Sequence, residues 1–516
     1  MVGIGPCGYP IVESAEMRRG VRFWGAGERY LGSQLRNLAG RYTLLSFRVR
    51  IIYNAVATGI GQFWVTQLGG SIMGKTGRFS RRDFLAAGTG VAVATYVSAR
   101  ALGLEPGQPS ANNKLNVAAV GVGGMGKHDI AQAARTENVV AICDVDRRFA
   151  EQTAAQYPNA RVYVDFRKML EEQKDIDAVM IATPDHTHAV ITAMALKLGK
   201  HVFCQKPLTH SVSEALKIRE LAAQAKTATQ MGNQGQASEA ARRICEYIWS
   251  GAIGKVREIH SWSNRRPDIS PRGIPRPKDT PPVPDYLNWD LWLGPAPERP
   301  YHPAYHPFAW RGWWDFGTGV LGDIGCHNLS AAFKALKLQW PISVEACSTH
   351  WSAPPEITKE TAPLASIVTY VFPAEGDRPE ITLRWYDGGM MPPIPKELGD
   401  RNIFDGDGTL IVGDKGMLWG DRLLPESLAQ EIGDPPKMLP RSPGHYEEWI
   451  AACKGGPAAG SNFVDHAAHL AAVVLMGNIA IRTQKKLFWD AEKLRFTNSE
   501  EANALLDPPY RNGWSL

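Results

Sequence analysis

The chain has 516 residues, 44% apolar and 21% charged, which is long enough for more than one domain and ordinary for a soluble globular protein. The net charge of +5 is badly placed for nucleic-acid binding: residues 1–101 carry 13 Lys/Arg against 4 Asp/Glu, leaving the rest of the chain at −4. The six cysteines after residue 101 form no C-x-x-C pair, so neither a thiolate zinc site nor a disulfide framework is visible, and their apolar surroundings suit buried free thiols.

Residues 73–101 read as an export signal. Arg81-Arg82 is followed by an apolar, small-residue run from Phe84 to Val97 and by the A-x-A pattern Ala99-Arg100-Ala101. That order predicts a twin-arginine signal peptide, and with it a protein that folds in the cytosol and is exported to the periplasm by the twin-arginine machinery. Such a signal belongs near an N-terminus, so residues 1–72 are expected to be an upstream over-extension of the reading frame or a disordered leader. Residues 51–74 lack charge, yet Asn54, Thr58, Gln62, Thr66, Gln67 and five glycines make a poor membrane span. Residues 102–113 are a Pro/Gly/Ser/Asn-rich linker.

From residue 114 strands and helices alternate. Strands are predicted at 115–120, 139–145, 177–183 and 201–204, with helices between them at 147–156 and 189–199 and after them at 211–225, where Ser211 or Ser213 is the N-cap. This spacing predicts a doubly wound parallel sheet over 114–235. The texture then changes. A helix over 237–251 and an alternating strand over 255–264 lead into a long excursion, 265–310, rich in Pro, Trp, Tyr and His. After residue 340 the segments SVEACSTHW, SIVTYVF, EITLRWYD and GTLIVG follow one another without helices, predicting a second α/β domain over 236–516 with a mainly antiparallel sheet. Helical runs at 444–455 and 464–483 belong to its C-terminal part.

The loop Gly121-Val-Gly123-Gly-Met125-Gly126 follows a strand and opens a helix, the setting in which G-x-G-x-x-G holds a dinucleotide. The first glycine allows the turn, the second lets backbone approach a pyrophosphate, and the third lets helix and strand pack. Asp144, 18 residues past Gly126, is placed to accept hydrogen bonds from an adenosine ribose. A carboxylate there favours NAD, while Arg147 and Arg148 leave NADP open.

These motifs, together with CDVD, IATPDHTH (181–188), CQKPLTH (204–210), GAIGKVREIH (251–260) and GTGVLGDIGCHN (317–328), occur in an order that resembles the Gfo/Idh/MocA oxidoreductases over about residues 114–335. LMGNIAIRTQKKLFWD (475–490) resembles exported members. The resemblance implies a Rossmann domain followed by an α/β domain with an open sheet. It also implies that Lys206, in Gln205-Lys206-Pro207 where the family has Glu-Lys-Pro, sits beside the nicotinamide ribose and the reacting carbon. The family's Asp-x-x-x-His falls on Asp323 and His327, and Thr183, Pro184 and His188 would line the cofactor crevice at the strand ends.

Oxidising a sugar carbinol needs a base for the hydroxyl proton and a hydride acceptor at the carbon. His327 is the best base by its intrinsic pKa; Asp323, four residues earlier, shares its helix face and could orient it; Lys206 could steady a developing alkoxide. A neutral Gln205 is expected to make Lys206 easier to deprotonate. Arg311, Trp314 and Asn233 are candidate substrate contacts, although core packing or an oligomer interface explains most of the aromatic residues between 289 and 314. His302 and His306 have H-x-x-x-H spacing, but Pro303 and Pro307 break the helix that ligation would need, and no metal site is expected.

The expected function is NAD(P)-dependent oxidation of a sugar, polyol or glycoside hydroxyl, with a tightly held cofactor suited to a protein exported folded, and with a homo-oligomeric assembly. Alternatives are an NAD-dependent glycoside hydrolase or lyase, or a sugar–sugar oxidoreductase, that recycles its cofactor, and a non-enzymatic sugar-binding protein. The last would fit loss of Lys206 or His327, and both are present.

Overall fold

The computed structural model describes residues 114–516 apart from 266–269 and 400–405. The expected leader (1–72), signal peptide (73–101) and linker (102–113) therefore lie outside the described residues.

The first domain alternates β1 (Asn116–Val120), α1 (Gly124–Ala133), β2 (Asn138–Cys143), α2 (Arg147–Ala154), β3 (Arg161–Tyr163), α3 (Phe166–Glu172), β4 (Ala178–Ile181), α4 (Asp185–Lys197), β5 (His201–Cys204), α5 (Val212–Ala225) and β6 (Thr229–Met231). The strands form a parallel sheet in the order β3-β2-β1-β4-β5-β6. β4 (AVMI) is buried at every position, as a strand covered on both faces must be. α5 begins with a capping box in which the Ser211 hydroxyl and the Glu214 carboxylate each accept from the other residue's backbone N–H. The sequence pattern does not predict β3 or α3: RVY is three residues long with only Tyr163 buried, too short for periodicity to register. The strand order reverses between β1 and β4, where a doubly wound sheet opens a crevice at its C-terminal edge.

The second domain starts with α6 (Glu239–Trp249) and β7 (Val256–Trp262) and includes α7 (Gly319–Asn328). Its sheet is completed by β8 (Ser343–Ser348), β9 (Ser366–Phe372), β10 (Ile381–Asp387), β11 (Gly408–Gly413), β12 (Met417–Trp419), β13 (Arg422–Leu424), β14 (Leu487–Asp490) and β15 (Arg495–Phe496). Among the described residues the order is β13-β12-β11-β7-β10-β9-β8-β14-β15, antiparallel throughout except for β7 beside β10. β9 (SIVTYVF) alternates buried and half-buried residues, the signature of a sheet with one covered face. Helix α9 (Ala468–Thr483) supplies much of that cover, and the Tyr370 hydroxyl of β9 donates to its Val474 carbonyl (3.1 Å). The segment Phe463–Thr483 is long and apolar enough to cross a membrane, but it is mostly buried inside the fold as a core helix.

Two segments return from the second domain to the first. Helix α8 (His445–Cys453) places Tyr446, Trp449, Ile450 and Cys453 in one apolar cluster with Val117, Ala119 and Phe203 of the parallel sheet. The aromatic excursion crosses the other way. Arg147 N–H donates to the Tyr286 carbonyl (2.8 Å), Asn288 N–H donates to that of Val145 (2.9 Å), and His306 Nε2 lies 2.8 Å from the Asp146 carboxylate. Trp289, Trp292, Tyr301, Tyr305, Trp313 and Phe316 pack together beneath it as a small core of their own. The six cysteines of the described residues are free thiols, five of them buried.

Candidate active site

β1 runs into a turn that only glycine fits. Gly121 has φ of +77°, and a Cβ there would lie 2.8 Å from the Ala182 backbone; a Cβ on Gly126 would lie 1.8 Å from the Gly121 carbonyl oxygen. α1 begins at Gly124 directly behind this turn, so its first N–H groups face the crevice. Asp144 follows β2. Its carboxylate accepts from Val122 N–H (2.8 Å) and Asp146 N–H (2.9 Å), and burial, outweighing these hydrogen bonds, pushes it up to about 6. A tight glycine cradle, a helix N-terminus and a fixed carboxylate fit a dinucleotide's pyrophosphate and ribose. Arg148 is committed elsewhere: it donates to Asp146 (Nε 3.0 Å, Nη2 2.7 Å) and lies 3.6 Å over the Tyr286 ring. Arg147 pairs with Glu151 at 3.5 Å. Neither arginine is held ready for a 2′-phosphate, and the carboxylate disfavours one.

A cleft of about 400 Å³ runs from this cradle to the ends of β4 and β5. Gly121, Gly123, Met125, Asp144, Thr183, Pro184, His188, Lys206, Arg311 and Asp323 all line it. His188 has a backbone carbonyl 2.8 Å from each ring nitrogen, Pro207 on one side and Thr183 on the other, and so ties the β4 and β5 loops together. Lys206 leaves the end of β5 and donates to the Asp323 carboxylate (2.6 Å) and carbonyl (2.8 Å). Arg311 approaches the same carboxylate at 3.5 Å, its guanidinium stacked between Phe308 (4.1 Å) and Trp310 (4.3 Å). Burial alone would raise Asp323, but Lys206 and Arg311 outweigh it and hold the carboxyl at about 2. His327, one turn along α7, is half-buried and outside the lining of the cleft; burial and the Lys206 charge push it down to about 3, so the imidazole is neutral.

Two expected substrate contacts are not brought to the cleft. Asn233 is wholly buried and donates to Ser330 (3.0 Å), holding the domain junction together. Trp314 is also buried, its indole donating to the Thr358 carbonyl (3.1 Å), because its face is taken up by the packing around Arg482. Gln205 lines the cleft beside Lys206, but its amide is turned to a different acid. Its Nε2 donates to the buried Asp129 carboxylate (2.8 Å), which also accepts from the Tyr446 hydroxyl (2.7 Å), whereas the charge partner of Lys206 is Asp323. His302 and His306 go to different carboxylates, Asp279 and Asp146, and among the described residues no cluster of metal-ligand type forms.

The cleft also holds residues to which the motifs assign no cofactor or substrate role. Asp185, at the N-terminus of α4, accepts from Thr318 (2.7 Å) and is pushed up to about 7 by burial. The only sequence signal for it is the polar run DHTH at a helix start. Phe166 and Trp514 line the same cleft from segments 348 residues apart, and no motif marks either.

Comparisons with known proteins agree with this arrangement. Residues 115–233 match a model described as an oxidoreductase family, NAD-binding Rossmann fold. Residues 276–351 and 405–516 match the same family's C-terminal alpha/beta domain. An inositol 2-dehydrogenase of Rhodococcus jostii is 32% identical over 166 residues, 31% of this chain and 45% of that protein. A 1-carboxy-3-chloro-3,4-dihydroxycyclohexa-1,5-diene dehydrogenase of Comamonas testosteroni is 31% identical over 147 residues, 28% of this chain and 37% of that protein. The chain thus spans about half the length, or less, of these curated relatives. In fold it is similar to the WlbA dehydrogenase of Bordetella pertussis, solved with NADH and UDP-GlcNAcA, at a TM-score of 0.50 and 16% identity over 73% of this chain and 99% of that one. With the two family models together matching more than half of its length, this chain belongs to the Gfo/Idh/MocA family of oxidoreductases.

Proposed function

We propose that the protein is an NAD-dependent oxidoreductase acting on a secondary hydroxyl of a sugar, polyol or glycoside. The observation that carries this reading is the Lys206–Asp323 pair, 2.6 Å apart, in the same cleft as the glycine cradle and Asp144. When bound, the nicotinamide ring would supply the hydride acceptor. The chain's own residues manage the oxygen and its proton. Lys206 has three N–H bonds; two are used on Asp323, and the third is left for a substrate oxygen on which negative charge grows. Asp323, anionic at any working pH, fixes the direction of that third bond. His327, neutral and one turn along α7 from Asp323, is assigned the hydroxyl proton on position alone: burial and Lys206 keep it a weak base, and it stands outside the lining of the cleft. The relatives named as inositol 2-dehydrogenases support a cyclic polyol or sugar as substrate class.

The reading extends to location: twin-arginine export to the periplasm, supported by Arg81-Arg82 and the run that follows them. A protein exported folded carries its nucleotide with it, and the aromatic segment laid across the Rossmann domain supports tight retention. Incubating purified protein with inositols, sugars and glycosides, and following nicotinamide fluorescence, tests the proposal. Substrate-dependent reduction of NAD, lost in Lys206→Ala, is expected. Turnover without added NAD and without net NADH would instead favour internal recycling of the cofactor. Protein that binds no nucleotide and turns over no hydroxyl compound would overturn it.

A further inference from the structure

The end of the cleft at Asp144 is walled by parts of the chain that lie far apart in sequence. Val164 and Asp165 come from the loop after β3, Phe166 from the start of α3, Leu291 from the aromatic excursion, and Trp514 from the last segment of the second domain. The Trp514 indole sits 6.1 Å from the Phe166 ring with the two planes 35° apart. The Arg167 guanidinium lies 4.7 Å from the indole. Arg167 is itself fixed by Asp165, donating through Nε (2.9 Å) and Nη2 (2.8 Å).

The segment bearing Trp514 is pinned on its N-terminal side. Arg511 donates to the Asp290 carboxylate (2.6 Å) and the Gly294 carbonyl (3.1 Å), and its N–H donates to the Pro295 carbonyl (3.0 Å). The Tyr510 hydroxyl donates to Glu214 at the start of α5 (2.6 Å). A half-buried indole is thus held at the lip of the cleft by two anchors within four residues of it.

We propose that Trp514 stacks on the adenine of the bound dinucleotide, and that residues 507–516 form a clasp that slows the cofactor's release. The inference rests on the NAD reading above and goes beyond it, because it assigns the retention to one side chain. The position follows from the cradle: with the pyrophosphate at Gly121–Gly126 and the ribose at Asp144, the base falls beyond Asp144, where the wall changes from backbone N–H groups to Val164, Phe166, Leu291 and Trp514. A flat, weakly polar base seats well on such a surface, and an Arg behind the indole holds the ring through its π-face. Leaving the cleft then requires Trp514 to swing away or the segment to detach, so the effect appears mainly in the dissociation rate.

One base–aromatic stack corresponds to roughly a 5- to 150-fold change in affinity. The test is the release rate of NADH from the purified protein, followed by fluorescence on displacement with excess ADP-ribose, together with equilibrium binding of NADH and ADP-ribose. Trp514→Ala should speed NADH release by roughly that factor and weaken ADP-ribose equally. Trp514→Phe should restore most of the retention, and Arg511→Ala, which keeps the indole but removes an anchor of its segment, should speed release. Unchanged release in Trp514→Ala, or a loss for NADH that ADP-ribose does not share, would overturn the clasp alone. Wild-type protein that binds neither NADH nor ADP-ribose would overturn the NAD reading, and the clasp with it. An unaltered thermal midpoint in Trp514→Phe shows that the comparison is made on folded protein.

Discussion

Gln205→Glu restores the residue expected from the family resemblance, and the structure says what it does to this chain. Gln205 Nε2 donates to Asp129 Oδ2 at 2.8 Å, and Asp129 is 1% exposed. A carboxyl in place of the amide puts two acids at that separation. Two like charges 2.8 Å apart at an effective dielectric constant of about 20 repel by about 6 kcal/mol, so the pair retains one proton at neutral pH. Asp129 is already raised, burial outweighing the hydrogen bonds from Tyr446 and Gln205. The introduced carboxyl's folded-state pKa is therefore raised above its unfolded value. Its contribution is present below the unfolded carboxyl range and is lost as pH rises towards the folded value. The slope is about 1.4 kcal/mol per pH unit, so the deficit against wild type grows by up to about 4 kcal/mol between about pH 5 and about pH 8. Urea unfolding of both proteins at the two pH values measures it. A stability difference that is the same at both would refute the reasoning, and so would a shifted pH–rate profile at unchanged stability, which would mean that Gln205 acts on Lys206 and not on Asp129.

Further outcomes are expected. Asp144, raised to about 6, stabilises the unliganded fold below the unfolded carboxyl range and loses that contribution as pH rises through about 6, a change of about 3 kcal/mol that Asp144→Asn should abolish in pH-dependent unfolding. Dinucleotide binding has the opposite sign: NADH affinity should improve roughly tenfold as pH rises through that range, because an ionised carboxylate accepts the stronger hydrogen bond, and titration of Asp144→Asn should give a flat profile. Asp323→Asn should lower kcat by about 10²-fold with NADH affinity unchanged, since it removes the group that directs Lys206 without touching the cradle. His327→Ala should lower kcat/KM by about 10²- to 10⁴-fold in steady-state assays; a loss smaller than tenfold would remove it as the base. Replacing Arg81 and Arg82 by lysine should leave the precursor in the cytosol, as read by fractionation.

Much of the parallel domain is legible because its strands are short, mainly apolar runs that alternate with helices at regular spacing. β4 and β5 could be read from AVMI and HVFC alone. β3 cannot, because three residues of which only Tyr163 is buried carry no period. Motif order marked Lys206 and Asp323, yet their contact closes over 117 residues, and nothing local indicates a 2.6 Å pair. A place just after a strand marks Asn233 and an aromatic face suited to a sugar ring marks Trp314, but neither feature decides where the side chain turns. The first turns into the domain junction and the second into the core around Arg482.

Local chemistry determined the pieces: a glycine turn that no side chain can enter, a carboxylate at the end of β2, a lysine at the end of β5, and a sheet open on one face. Those follow from steric exclusion, hydrophobic period and capping, which act over a few residues. The tertiary structure decided which groups meet. Gln205 was set against Asp129, Lys206 against Asp323 and Trp514 beside Phe166, across 76, 117 and 348 residues. Such pairings depend on how helices and returning segments pack, and packing is settled only when the whole chain has buried its apolar surface.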